Sequence, residues 1–292
     1  MSSTRYVYAV TRALEGERWN GDSRIPAGLG DRAVAPVLEG ELAVWVSEPA
    51  GARIRPERRN LVAHQRVVRA LADNLDALPV SFGMVLPSES ACAALLRDHS
   101  ESMLQALDRI EGKLEMSVRV TLASDNAFAF FVEQDPELRH ARDRMARGGG
   151  SRDELLEVGK LFERVLERER DRAMILASAS LAPATSEIHR HPARNEKELL
   201  NLACLVSRDA VAAFDAAVHE AAASFDDRYA FDFSGPWPCH SFTNLRINAP
   251  EADEVESAAR SAAGIEAKPE SVAGVSDPAA GGVTGVSRGP GG

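Results

Sequence analysis

Leu114-Glu115-Met116-Ser117-Val118-Arg119-Val120-Thr121-Leu122 alternates apolar and polar side chains. That period of two is the pattern of a strand with one buried face. Downstream, Ser151-Arg152-Asp153-Glu154 fits a capping box. The long amphipathic helix it opens is expected to run to about Ala179. Its inner face reads Leu155, Val158, Phe162, Val165, Leu166, Ala173 and Leu176, and its Glu- and Arg-rich outer face reads as a solvated, ion-paired surface. Residues 184–191 form a second strand candidate and residues 199–206 (LLNLACLV) a third. Ser207 then caps a helix bearing Val211, Phe214, Val218 and Ala221, and the alternation at residues 229–233 marks a last strand. Strand, helix, strand, strand, helix, strand is the βαββαβ order of a ferredoxin-like domain, with helices on one face of an antiparallel sheet.

Upstream the same reading gives a related set of elements. Residues 5–10 (RYVYAV) read as a strand, residues 15–36 as an irregular Gly- and Pro-rich connection, and residues 42–46 (LAVWV) as a strand buried on both faces. A helix follows Pro56, with Leu61, His64, Val68, Leu71 and Leu75 in one stripe and Pro79 as its stop. Residues 80–86 (VSFGMVL) read as a strand closed by Pro87. Ser88 caps the next helix, whose apolar face holds Cys92, Leu96, His99, Met103, Leu107 and Ile110, and Gly112 stops it. A short helix is expected after Pro136, and residues 148–150 mark a break. The fold class is therefore α+β with two tandem domains. Residues 1–112 form a smaller N-terminal α+β variant and residues 113–250 the ferredoxin-like C-terminal domain. Residues 251–292 contain no aromatic residue and no Leu, and read as a disordered acidic Ala/Gly-rich tail.

Across its 292 residues the chain is 45% hydrophobic and 27% charged, enough for sizeable cores, with a formal net charge of -10. A negative chain is repelled by phosphate backbones and by anionic lipid, so neither nucleic acid nor membrane is an expected partner. The three cysteines, Cys92, Cys204 and Cys239, lack C-x-x-C spacing and cannot all pair within one chain. That usage suits a reduced cytoplasm. Residues 1–10 have no signal-peptide core, and no run approaches the ~20 apolar residues that span a bilayer, so a soluble cytoplasmic protein is expected.

A search for reactive groups returns little. Gly28-Leu29-Gly30-Asp31-Arg32-Ala33 matches G-x-G-x-x-A, but Pro26 and Pro36 flank it and no helix pattern begins there. No Walker loop, H-E-x-x-H or G-x-S-x-G occurs. His189 and His191 form an H-x-H pair that Cys204, or Cys239 with His240, could extend to a metal site; surface histidines near Pro192 are the plainer reading. His64 and His99 fall on apolar helix faces, where a histidine bonded to a backbone carbonyl is the expected state. The reading is a non-enzyme with no catalytic residue, no cofactor and no metal. Ser234-Gly235-Pro236-Trp237-Pro238 stands apart. Its prolines fix the backbone around an aromatic side chain. It is expected to end the last strand and aim Trp237, either as a lid on a core edge or as an anchor for a partner. Pro236, Trp237 and Pro238 are the candidate partner-binding residues.

Several stretches occur in a telling succession. They are residues 6–10, Glu39-Gly40-Glu41-Leu42-Ala43-Val44 running into Ser47-Glu48-Pro49, then His64 and Leu78-Pro79-Val80-Ser81-Phe82-Gly83-Met84-Val85, residues 107–112, and Ser234-Gly235-Pro236-Trp237-Pro238. This succession resembles the gas vesicle protein F/L family (GvpF/GvpL) from Tyr6 to about Leu245. The chain departs at Cys239-His240-Ser241-Phe242, where the family commonly has Pro-Tyr-Ser-Phe. The resemblance implies a two-domain α+β fold, a role in forming intracellular gas vesicles, contact with the small hydrophobic shell protein, and no catalysis. The expectation is a cytoplasmic, gas vesicle-associated accessory protein. It would bind the shell protein or other gas vesicle accessory proteins during nucleation and assembly, limiting aggregation. A minor structural component of the finished vesicle is the alternative. A small-molecule-binding ferredoxin-like enzyme is the rival from another class, and no motif points to one.

Overall fold

In the computed structural model, β1 (Arg5–Arg12) lies at the centre of a first sheet and β6 (Lys113–Leu122) at the centre of a second. The structure describes residues 4–49, 54–148 and 150–243; the tail expected at residues 251–292 lies outside them. The described residues belong to one compact unit, residues 1–249. The architecture is α+β with two sheets.

The first sheet is antiparallel in the order β2 (Ala35–Glu39), β3 (Leu42–Ser47), β1, β4 (Leu78–Pro79), with β5 (Val85–Leu86) also paired to β1. Every residue of β3 is buried, as its unbroken apolar run requires. Its side chains divide by the period of two. Leu42, Val44 and Val46 face α3 (Glu89–Asp98) and α4 (Ser100–Ile110), while Trp45 joins Val67, Val68 and Leu71 of α2 (Arg58–Asn74).

Several expectations need correction here. Residues 15–36 are not wholly irregular: α1 (Ala13–Trp19) lays Gly16 against Ala43, and β2 adds an edge strand whose position tolerates Pro36. The helix after Pro56 ends at Asn74, before Pro79, which sits in β4 instead. Residues 80–86 are not one strand. Between β4 and β5 the chain turns at Phe82 and Gly83, and Gly83 adopts φ +102. The helix from Ser88 breaks at His99, so α3 and α4 are separate.

The second sheet runs β7 (Glu187–Arg190), β8 (Glu198–Ser207), β6, β9 (Tyr229–Trp237), antiparallel throughout. Where one long helix and a short one were expected, three helices separate β6 from β7. They are α5 (Ala127–Gln134), α6 (Pro136–Gly148) and α7 (Arg152–Leu181). The capping box is formed: the Ser151 hydroxyl accepts from the Glu154 N–H and Glu154 accepts from the Ser151 N–H. Leu155, expected on the inner face of α7, is 61% exposed, because α5 and α6 pack on the side of the first turns that carries Val158 and Leu161. After β8, α8 (Val211–Ala223) packs on α7.

β8 is buried on both faces. Leu200, Leu202, Cys204 and Val206 meet the helices of the second half, while Ala203 and Leu205 enter the core formed by Val7, Val10, Leu42 and Leu96. Cys239 and Phe242 enter that same core from the far end of the chain. The two halves are therefore joined by shared apolar burial. The Arg208 guanidinium reinforces the junction by donating to the Ala72 carbonyl at 2.7 Å, at the C-terminal end of α2 where a cation is favoured.

Candidate functional site

The free rim of β9 carries the residues singled out in the sequence. β9 pairs only with β6 among the described residues, so it is an edge strand. Ser234-Gly235-Pro236-Trp237-Pro238 ends the strand as expected: β9 runs into the segment and stops at Trp237, before Pro238. Pairing to β6 is interrupted within it, with Ser234 opposite Ser117 and Trp237 opposite Glu115, and the register shifts between them. The segment is a bulge, and an edge strand accommodates the missing proline donor. Gly235 lies so close to β6 that a Cβ there would sit 2.5 Å from Met116 Sδ, and its φ of +147 disfavours any side chain.

The bulge turns Trp237 outward. Its side chain is 41% exposed, as is that of Phe233 on the same strand. The indole Nε1–H donates to Ser234 Oγ at 3.2 Å, and the Arg69 guanidinium of α2 lies 5.4 Å from the ring centroid. Pro236 is exposed, whereas Pro238 is buried and begins the descent into the core. Sequence reading missed Arg69 as a member of this surface, and missed the exposed Phe233, which lies on the opposite face of β9, edge-on to His219 of α8. The alternation of Tyr229, Phe231 and Phe233 signalled one aromatic row, but Arg69 had no local signal because only the packing of α2 brings it there.

Beyond Pro238, the turn at His240–Phe242 is pinned from several sides. The Glu115 carboxylate accepts from the Ser241 N–H at 2.8 Å and from Ser241 Oγ at 2.9 Å. Since the serine proton goes to Glu115, His191 Nε2 must donate to Ser241 Oγ, over 3.0 Å. Burial pushes the Glu115 carboxyl up and the His191 imidazole down from their ordinary values. Arg109 donates to the Phe242 carbonyl at 3.0 Å and pairs with Glu187. All these bonds go to a turn whose Phe242 is in the core, so they read as a clamp on the chain.

His189 and His191 lie with ring centroids 4.7 Å apart, but the cysteines considered with them are elsewhere. Cys204 belongs to the core of the second half and Cys239 to the shared core. Burial pushes the Cys92 thiol up to about 11 and those of Cys204 and Cys239 up to about 12, which removes their nucleophilic form at neutral pH. Among the described residues no group of three His, Cys, Asp or Glu side chains is placed to hold a metal. The G-x-G-x-x-A stretch forms a 3-10 turn at Leu29–Asp31, and a Cβ on Gly28 would collide with the Tyr8 hydroxyl. Its glycine serves that contact.

His64 explains the Leu-Pro-Val-Ser-Phe-Gly signature. Its Nε2–H donates to the Val80 carbonyl at 3.1 Å, leaving Nδ1 to accept from the Tyr6 hydroxyl at 3.0 Å. The Tyr6 oxygen in turn accepts from the Gly83 N–H at 3.1 Å. The ring stacks on Tyr8 and meets Phe82 edge-on. Val80, Phe82 and Gly83 of the signature thus serve one polar hub, which is why β4 and β5 part between Val80 and Gly83. His99 does not join it: it sits at the junction of α3 and α4, where its carbonyl accepts from Ser102.

Two antiparallel sheets on a shared core, with an aromatic bulge on one edge and a buried histidine hub under the other, define an α+β protein built around its signature segments. The chain belongs to the gas vesicle synthesis protein GvpL/GvpF family, whose model matches residues 4–244. Gas vesicle protein F of Streptomyces sp. (strain CB03234) is 29% identical over 81% of this chain and 98% of its own length. Gas vesicle protein F of Dolichospermum flosaquae is 24% identical over 75% of this chain and 90% of its own. The crystal structure of GvpF from Microcystis aeruginosa aligns with TM-score 0.71 at 17% identity, covering 84% of this chain and all of that one. GvpF from Anabaena sp. PCC7120 aligns with TM-score 0.69 at 20% identity, covering 84% of this chain and 99% of that one. No helix among the described residues is long and apolar enough to cross a membrane.

Proposed function

We propose that this protein is a non-enzymatic accessory factor that binds the gas vesicle shell protein, or other gas vesicle accessory proteins, during nucleation and assembly in the cytoplasm. A shell protein must present apolar surface to gas, so its free form is prone to self-association. An acidic partner of net charge -10 keeps such a complex dispersed. The observation that carries the reading is the edge of β9, where Phe233 and Trp237 are each 41% exposed beside a free strand rim. A strand rim offers main-chain hydrogen bonds, and a rigidly held tryptophan offers an anchor. Pro236 and Trp237 are the contact residues, with Pro238 holding the bulge from beneath.

Co-expression with the shell protein tests this. The expected result is co-purification and a larger soluble fraction of shell protein. Trp237→Ala should reduce the captured fraction at least about tenfold, as loss of an anchor residue does. Shell protein that neither co-purifies nor gains solubility would overturn the binding role.

A further inference from the structure

The first three turns of α7 present an apolar strip that nothing covers among the described residues. Leu155 is 61% and Leu156 is 56% exposed. With Arg152, Gly159, Lys160 and Glu163 they line a shallow groove of about 410 Å³. Farther along the helix the same side is covered by α8, which packs on the C-terminal part of α7 and buries Ala173, Ala177 and Leu181. A Cβ built on Gly159 meets nothing within 4 Å, so the groove is open above it.

We propose that this strip is the contact between two copies of the chain, paired antiparallel through α7. The groove is complementary to itself. A two-fold axis crossing the helix between Glu157 and Val158 sets residues in opposed pairs. Arg152 then faces Glu163 of the second copy, twice by symmetry. Neither Arg152 nor Glu163 has an ion-pair partner among the described residues of one chain, so both are available. Leu156 enters the hole formed by Leu156, Gly159, Lys160 and Glu163 of the second copy, the i, i+3, i+4, i+7 arrangement that receives a knob. Gly159 lets the two helices approach. Lys160 already pairs with Glu157 at 2.9 Å and covers the rim with its aliphatic stem. A parallel pair would set Arg152 against Arg152 and Glu163 against Glu163, so charge selects the antiparallel form. Three turns of helix cover less than the roughly 1,200 Å² of a standard interface, so the dimer is weak and concentration-dependent.

Sedimentation equilibrium of the full chain, from about 5 to about 500 µM at low salt, tests the pairing. The expected result is a monomer at the low end and a rising dimer fraction toward the high end. Leu156→Glu should hold the chain monomeric throughout. Arg152→Glu and Glu163→Arg should each weaken association at least about tenfold, and the double swap Arg152→Glu/Glu163→Arg should restore it. These sites are exposed, so circular dichroism melts should match the parent. A parent chain that stays monomeric at the highest concentration overturns the proposal. So does a charge swap that fails to restore association, because another surface would then hold the dimer.

Discussion

At His64 the cost of burying a charge is converted into a stability that depends on pH. Burial holds the imidazole at about 4, well below the ordinary 6.5. In an unfolded chain the same ring takes up a proton near its ordinary value. Between the two, the unfolded state carries more protons, so the contribution is complete above about pH 6.5 and is lost as pH falls toward 4. The full swing corresponds to about 3 kcal/mol. Urea midpoints measured from pH 7.5 to 4.5 should therefore fall more steeply for the parent chain than for His64→Gln, which can keep a donor and an acceptor but cannot titrate. Equal slopes would mean that the ring is not held neutral. Tyr6, Val80 and Gly83 owe their roles to the same ring, since each gives or takes one of its hydrogen bonds or those of its partner.

Among the elements, α7 shows how a local signal and a tertiary one divide the work. Its start is written in Ser151 and Glu154, whose reciprocal bonds satisfy N–H groups that the first turn leaves open. Ser151→Ala should lower stability by about 1 kcal/mol, read as a shift in thermal midpoint, with no change in association. A neutral substitution would show that the cap is redundant. Which side of α7 is buried is a different matter. Leu155 and Val158 have equal claims by helical spacing, yet only Val158 is covered, because α5 and α6 lie on its side. β9 carries the same lesson. Two prolines near its end argued for a stop, and the strand does stop at Trp237, but only after an edge bulge has carried it past Pro236. β2 was missed for a related reason: its five residues hold one proline and face one neighbour, so the local pattern is faint.

On the scale of the whole molecule, Phe242 belongs to the core that both halves share, although it lies far along the chain from Val7 and Leu42. Its side chain is fully buried, and the turn that presents it is held by Glu115, His191 and Arg109. Phe242→Ala should cost about 3–5 kcal/mol. Hydrogen exchange should rise in β1 and β6 together, because the lost contact serves both sheets. An increase confined to one sheet would show that the halves are energetically separate. The proposed partner edge on β9 and the proposed self-contact on α7 are different surfaces, so the variants that test them can be combined without ambiguity.

The α+β class, the alternation of β6, the buried run of β3 and the cap of α7 were legible from the chain alone. Each rests on neighbours within a few residues, where spacing and backbone preference dominate. The succession of signature stretches likewise pointed to the family without any structure. Only the tertiary structure decided that β8 is buried on both faces, that the signature near Val80 closes on His64, and that Trp237 stands exposed beside Arg69. Those outcomes depend on which distant surfaces meet, and a local pattern reports that a side chain prefers burial without saying what will bury it.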